Sequence, residues 1–390
     1  MDKRYYFDHA ATTPIDEKVF QEMKPYLTEE FGNPSSIYRE GQKAGQAIME
    51  AREKILDLIN AEDSKEIIFT GSGTEADNLA IKGVAMALKD KGKHIITSEI
   101  EHHAVLHTCE FMEKHLGFDV TYLGVDEDGF INLDELKNAI RDDTVLITIM
   151  MANNEIGTIE PVKEIAQIAN KNDLYFHVDA VQAAGQIEID VQDLGVDLLT
   201  LSAHKINGPK GVGALYVKKG VKLIPQMNGG AQERKRRGGT ENLAGIVGFG
   251  KAAELAKERL PEKQEKLKKL RNKIINYVEE NISEAILNGP RGEKRLPNNV
   301  NFCFRYIEGE SILLNLDFLG IAASSGSACT SGSLEPSHVL LSLGMSHEVA
   351  HGSLRLSLGY NTTEEEVDYL LDELPGVIQK IRDMSPLYDG

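Results

Sequence analysis

Three short segments carry most of the reactive side chains in this sequence. Leu174-Tyr175-Phe176-His177-Val178-Asp179 is an apolar run that ends in an acid. Leu199-Thr200-Leu201-Ser202-Ala203-His204-Lys205 is a second apolar run that ends in Ser, His and Lys. Between a strand-like stretch and a helix-like one lies Gly71-Ser72-Gly73-Thr74. A carboxylate at the C-terminal end of a strand faces the crevice where α/β proteins hold ligands, although an Asp so placed also serves as an ordinary helix cap. A lysine in the same position forms a Schiff base with an aldehyde; taken alone it reads as a surface lysine.

The glycine loop has two readings. Gly71, Gly73 and Ala76 fit the dinucleotide pattern G-x-G-x-x-G/A, and the next strand ends near Glu99, an acid that could pair with a ribose. That reading gives a nicotinamide-dependent oxidoreductase. Physically, the loop reports only backbone N–H groups and a helix N-terminus free to meet a phosphate, and the Thr74 hydroxyl suits a phosphomonoester equally well. No Gly-Lys-Ser/Thr follows, which excludes a P-loop. Lys205 and Asp179 separate the alternatives. Pyridoxal phosphate needs an aldehyde-binding lysine, an acid for its ring nitrogen and a phosphate cradle. Lys205, Asp179 and Gly73/Thr74 supply all three, whereas a nicotinamide enzyme has no use for the Lys205–Asp179 pair.

Three cysteines occur, Cys109, Cys303 and Cys329. Cys109 and Cys303 lie in apolar contexts and read as core. Cys329 lies in Ser324-Ser325-Gly326-Ser327-Ala328-Cys329-Thr330-Ser331-Gly332-Ser333, where small residues predict an exposed loop and hence a reactive thiol. His102, His103 and His107 are close enough in sequence to suggest metal ligation, but no carboxylate or cysteine set completes a site, and no metal is expected. Arg234 to Arg237 is a short basic run that reads as a solvated loop.

These residues need a scaffold of strands. Seven candidates are Glu66–Phe69, His94–Thr97, Val120–Leu123, Thr144–Met150, Leu174–Asp179, Asp197–Leu201 and Gly213–Val217. Several are apolar on both alternating faces and are separated by helical stretches, which predicts α/β architecture with a mainly parallel seven-stranded sheet. Composition changes after Gly250. A long charged amphipathic helix from Lys251 to Ile282, with Pro261 near a bend, leads into strand-like Asn299–Phe304 and Ser353–Leu358 and a final helix from Thr363. The expected division is a large cofactor-binding domain at 15–255 and a smaller α+β domain made of 1–14 and 256–390, which carries the Cys329 loop.

The chain has 390 residues with 41% hydrophobic and 27% charged content, so a mostly disordered chain is excluded. Its formal net charge of −18 repels phosphate backbones, and no nucleic acid partner is expected. The N-terminus has no apolar signal core, the most apolar run, Val145 to Ala152, is too short for a membrane span, and three cysteines make no disulfide framework. A cytoplasmic enzyme that avoids membranes is the expectation.

Read as a whole, the chain resembles the cysteine desulfurases of the nitrogen-fixation and iron–sulfur-cluster type, which belong to the class-V-aminotransferase-like, fold-type-I pyridoxal phosphate enzymes. The likeness rests on Tyr6 to Pro14, Gly32-Asn33-Pro34-Ser35-Ser36, Gly71 to Asn78, Glu101-His102-His103-Ala104-Val105, Asn153 to Gly157, His177 to Gln182, Ser202 to Lys205, Arg237 to Asn242, Ser324 to Gly332 and Leu354 to Gly359. It implies that His102 stacks on the cofactor ring and that Asn154 and Gln182 lie beside the ring's phenolic oxygen. Ser202 and His204 would join Gly73 and Thr74 at the phosphate. Thr240 would reach the phosphate of a neighbouring subunit, which implies a homodimer. Arg355 would hold the substrate carboxylate, with Asn33 and Asn154 nearby. L-Cysteine would be converted to L-alanine, with Lys205 moving protons and Cys329 taking the sulfur as a persulfide for an acceptor such as an iron–sulfur scaffold protein.

Overall fold

The computed structural model describes residues 4–325, 335–386 and 388. Seven strands form one sheet in the spatial order Ile67–Thr70, Gly213–Val217, Leu198–Ser202, Tyr175–Asp179, Thr144–Met150, His94–Ser98, Asp119–Leu123. Gly213–Val217 runs antiparallel to both neighbours, and the other pairs are parallel. Burial follows from composition. Every residue of Thr144–Met150, Leu198–Ser202 and Gly213–Val217 is buried, as a sheet covered on both faces requires. Two expected strand starts shift because an acid does other work there. Glu66 belongs to a single turn, Ser64–Glu66, where it completes a capping box with Asp63. The Asp197 carboxylate accepts from Phe176 N–H at 3.0 Å, just ahead of its strand.

The strand directions create the site. Ser98, Met150, Asp179 and Ser202 end neighbouring parallel strands, so the chain emerges from all four along one edge of the sheet. The antiparallel register brings Gly213 to the same edge, opposite both Ser202 and Thr70.

On one face, the helix Arg39–Leu58 crosses the long helix Leu243–Asn281. They meet so closely at Gly250 that an added Cβ would lie 2.6 Å from Ala51 Cα. The long helix begins earlier than its composition suggests, because Leu243 to Gly250 is buried and apolar, and it runs unbroken through the exposed Pro261. A separate hydrophobic cluster gathers Phe7, residues of the long helix from Leu267 onward, the antiparallel strands Asn299–Phe304 and Ser353–Ser357, and the helices Gly309–Phe318 and Glu364–Arg382. The sequence gives no sign of one small element. Tyr5–Tyr6 pairs in parallel with Ile321–Ala322, and two-residue strands are too short to show a period. Among the described residues, no helix is long and apolar enough to cross a membrane.

Phe176 sits under the site with no exposed surface, in the main core. Phe176→Ala should lower the unfolding free energy of the cofactor-free protein by about 3–5 kcal/mol. A loss below about 1 kcal/mol in denaturant titration would show that the strand beneath Asp179 is not packed as described.

Candidate active site

A cavity of about 250 Å³ opens at the strand-end edge, and it is assembled from elements far apart in sequence. Its floor includes Asp179 and Met150, its sides include Ser202, His204 and Lys205, and its far wall is the turn Ser72-Gly73-Thr74. His102, Asn154 and Gln182 complete the lining among the residues expected from sequence.

The phosphate cradle forms for local reasons. Ser72 caps the helix Gly73–Ala87, its hydroxyl accepting from Glu75 N–H at 3.1 Å. Gly71 N–H is taken by Glu75 Oε2 at 2.7 Å. Glu75 and Ala76 N–H are taken by Ser72, which leaves the N–H groups of Gly73 and Thr74, both at the cavity, to meet an anion. Two glycines make the space. A Cβ on Gly73 would lie 3.1 Å from Val181 Cγ2, and one on Gly213 would lie 2.5 Å from the Ser72 carbonyl carbon.

Lys205 follows the strand Leu198–Ser202 in a single 3-10 turn, Ala203–Lys205. Its amine donates to the carbonyls of Ala10 and Ala11, the latter at 2.9 Å. The N-terminal segment is fastened over the site by further bonds. Gln182 Nε2 donates to Ala10 O at 3.0 Å, Thr13 Oγ1 donates to His204 O at 2.8 Å, and His204 Nδ1 pairs with Thr12 Oγ1 at 3.1 Å.

Asp179 is 7% exposed, and its carboxylate accepts from Val181 N–H at 2.9 Å. Burial raises its pKa to about 6, while the Val181 N–H and the Lys205 charge pull it back. No helix follows, so the Asp holds a turn and lines the cavity rather than capping a helix. His102 caps the helix His103–Leu116, with Nδ1 accepting from Ala104 N–H at 3.1 Å, which leaves the ring proton on Nε2. Burial, then the Lys205 charge and the neighbouring histidines, lower its pKa to about 4, so the ring is neutral at physiological pH. Burial likewise lowers His204 to about 4.

Three expected residues are not on the cavity wall. Arg355, 2% exposed, stands behind Asn154, donating to its carbonyl at 3.2 Å and to Asp8 Oδ1 at 2.9 Å. Asn33 is exposed, and its side chain accepts from Ser35 N–H at 2.9 Å. Thr240 is exposed as well. Cys329 lies outside the described residues. Burial raises the thiols of Cys109 and Cys303, the latter to about 11, so neither is a thiolate at neutral pH. Among the described residues no cluster of metal-binding side chains occurs.

Sequence reasoning overlooked Asp77, which lines the same cavity, is 2% exposed and has Oδ1 without a hydrogen-bond partner. Its place on a buried helix face gave it no sequence signal. The set fits pyridoxal phosphate: free helix N–H groups beside two space-making glycines for the phosphate, a buried acid for the ring nitrogen and an amine for the aldehyde.

Comparison with known proteins agrees. The family model for aminotransferase class-V matches residues 5–370. A cysteine desulfurase IscS of Clostridium botulinum strain Hall is 57% identical over 390 residues, covering 100% of this chain and 98% of that protein. One from Methanosarcina thermophila is 58% identical over 386 residues, covering 99% and 95%. Among solved structures, a NifS-like protein superposes with a TM-score of 0.91 at 39% identity, covering 97% of this chain and 100% of the other. A structure of SspA in complex with cysteine gives 0.81 at 40% identity, covering 93% and 100%.

Asp179 also makes the cofactor-free protein sensitive to pH. An acid whose folded pKa, about 6, exceeds its ordinary 3.8 stabilises the fold when protonated; that contribution is full at low pH and is lost as pH rises through 6. Asp179→Asn should therefore stabilise cofactor-free protein at pH 8 by up to about 3 kcal/mol, with the advantage vanishing below about pH 4. Melting curves across pH test this, and a difference independent of pH would contradict the buried charge.

Proposed function

The chain belongs to the class-V aminotransferase family, and from that premise we propose how its residues divide the work of a cysteine desulfurase. It is a pyridoxal-phosphate-dependent enzyme that converts L-cysteine and an enzyme thiol to L-alanine and an enzyme persulfide, supplying sulfur for iron–sulfur clusters or related pathways. The observation that carries the assignment of roles is the convergence of Lys205, Asp179 and the Ser72–Thr74 turn on one cavity.

When bound, the cofactor supplies an electron sink for charge developing at the substrate Cα. The phosphate is held by the N-terminus of the helix Gly73–Ala87 with Thr74, Ser202 and His204. Asp179, ionised through Val181 N–H, faces the ring nitrogen and keeps its proton in place. Neutral His102 would pack against the ring, with Asn154 and Gln182 beside its oxygen. Lys205 Nζ is the amine that would hold the cofactor's aldehyde and, when free, would move the Cα proton of the substrate. The Arg355 guanidinium, which holds the Asn154 carbonyl and Asp8 behind the cavity wall, would have to turn from these partners to receive the substrate carboxylate. Cys329, as thiolate, attacks the substrate sulfur. The new S–S bond forms as the Cβ–S bond breaks, and the carbon skeleton leaves as alanine after protonation. Burial removes the other two thiols from this role.

The finer assignments are a C2 homodimer, the cytoplasm as its compartment, and an iron–sulfur scaffold as sulfur acceptor. Two facts support the dimer. Thr240 and Asn33 are exposed on the single chain. So are Phe31 at 74% and Ile37 at 90%, apolar side chains beside Asn33 that a monomer would leave in water.

Cys329→Ala should keep the cofactor's visible absorption while alanine formation falls roughly a thousandfold or more. Retained alanine formation would point instead to a thiol-independent lyase on the same scaffold. Asp179→Asn should bind cofactor through Lys205 yet turn over about a hundredfold more slowly; unchanged turnover would reduce the acid to a structural turn residue.

A further inference from the structure

The strand Ile67–Thr70, which feeds the phosphate cradle, is an edge strand with a single partner. Its outer backbone groups are closed by side chains instead of a further strand. Arg52 Nη1 and Arg234 Nη2 donate to Ile67 O at 2.5 and 2.7 Å, and Phe69 N–H donates to Glu233 Oε2 at 3.1 Å. Arg52 and Glu233 form a two-point ion pair, 2.8 Å on both arms, with side chains only 4% and 3% exposed. The backbone that brings Glu233 there is left-handed at three successive non-glycine residues, Glu233 (φ 43°), Arg234 (φ 56°) and Lys235 (φ 66°). Such a run is costly and persists only where its surroundings enforce it.

The same segment has a second tie. Arg237 donates to both oxygens of Glu75, at 2.9 and 3.3 Å, and Glu75 Oε2 also receives the Gly71 N–H of the cradle. Beyond it, Gly238 N–H donates to Met227 O at 3.0 Å, and Asn242 caps the long helix. Thr240 is therefore exposed yet held on both sides by fixed structure. The basic run that reads as a solvated loop is an edge clamp.

We propose that Glu233, held by Arg52, and Arg237, held by Glu75, are positioning residues that present Thr240 to the cofactor phosphate of the partner subunit. The inference rests on the reading of Thr240 as a residue that crosses the dimer. The left-handed turn and the two ion pairs fix the backbone that leads into Thr240. Their effect is exerted in trans: weakening the clamp harms the partner's site and spares the chain's own.

Arg237→Gln is the principal variant, since that pair is partly exposed and its loss leaves the core intact; Glu233→Gln is the second. Titrating cofactor-free dimers with pyridoxal 5′-phosphate, read by the visible band of the Lys205-bound form, should show affinity roughly tenfold weaker for Arg237→Gln, the scale of one lost charge-assisted hydrogen bond. Thr240→Ala should behave alike, and sedimentation should find every variant dimeric. In mixed dimers with Lys205→Ala subunits, the one lysine-bearing site receives an intact clamp from its partner and should regain wild-type affinity. If Thr240→Ala weakens binding and recovers on mixing while Arg237→Gln binds normally, the clamp is not a positioning device. If Arg237→Gln weakens binding without recovery, the pair acts on its own cradle and the inference is wrong. If Thr240→Ala itself has no effect, or confirmed mixed dimers show no recovery, the crossing of Thr240 has failed and the inference falls with it.

Discussion

The site is organised around one costly decision, the burial of a charge at Asp179. Three carboxyl groups, Asp77, Glu101 and Asp179, sit almost without solvent at the same sheet edge. Burial pushes all three upward, and the Asp179 charge raises Asp77 and Glu101 further. A dry pocket tolerates one such charge far better than two. Asp179 has both the Val181 N–H and the Lys205 cation, Glu101 has the Met150 N–H and the Ser98 hydroxyl, and Asp77 has His177 at 3.7 Å. That histidine is held between the Thr148 and Thr200 hydroxyls at 2.8 and 3.0 Å, and burial lowers its pKa to about 3, so it adds no positive charge. The acid with a cation to offset its charge is thus Asp179, the one proposed to meet a protonated ring nitrogen.

Neutral surroundings sharpen that arrangement. His102 is uncharged because burial and the Lys205 cation both oppose protonation. Its Nδ1 is occupied in capping its own helix, so orientation and tautomer are fixed before any ligand arrives. On the opposite side the residues Asp8 to Thr13 close the cavity. This segment is anchored by the short pairing of Tyr5–Tyr6 with Ile321–Ala322 and reaches the site through Ala10, Ala11 and Thr13. That pairing, the Asp8–Ser357 bridge and the Asp8–Arg355 ion pair together hold the segment over Lys205.

What the sequence made legible follows from what leaves a local trace. Apolar strands buried on both faces have a composition of their own, so the seven-stranded sheet and Asp179, Ser202 and Lys205 at its edge could be read directly. Strand starts were displaced wherever an acid turned to serve a neighbouring backbone, as Glu66 and Asp197 do. Asp77 was missed because it shares a helix face with core residues. The Arg52–Glu233 pair joins residues 181 positions apart and leaves no pattern in either segment. Asn33 and Thr240 were identified by family likeness alone, and the single chain leaves both in solvent.

The ends of the segment that holds Cys329 are tied to the groups that receive the substrate. Before it, Ser324 pairs with Arg355, the Arg355 N–H donating to Ser324 O at 2.6 Å. After it, Ser337 donates to buried Glu155 at 2.5 Å, and Glu155 follows Asn154, whose carbonyl Arg355 holds. Arg355, the residue proposed to meet the substrate carboxylate, and the residues on either side of the Cys329 segment therefore share one frame. A cysteine molecule fixed at its carboxylate has its sulfur a set number of bonds away. On that proposed reading, the frame sets where the two ends of the Cys329 segment stand relative to the bound substrate, while the cofactor chemistry would stay on the strand ends.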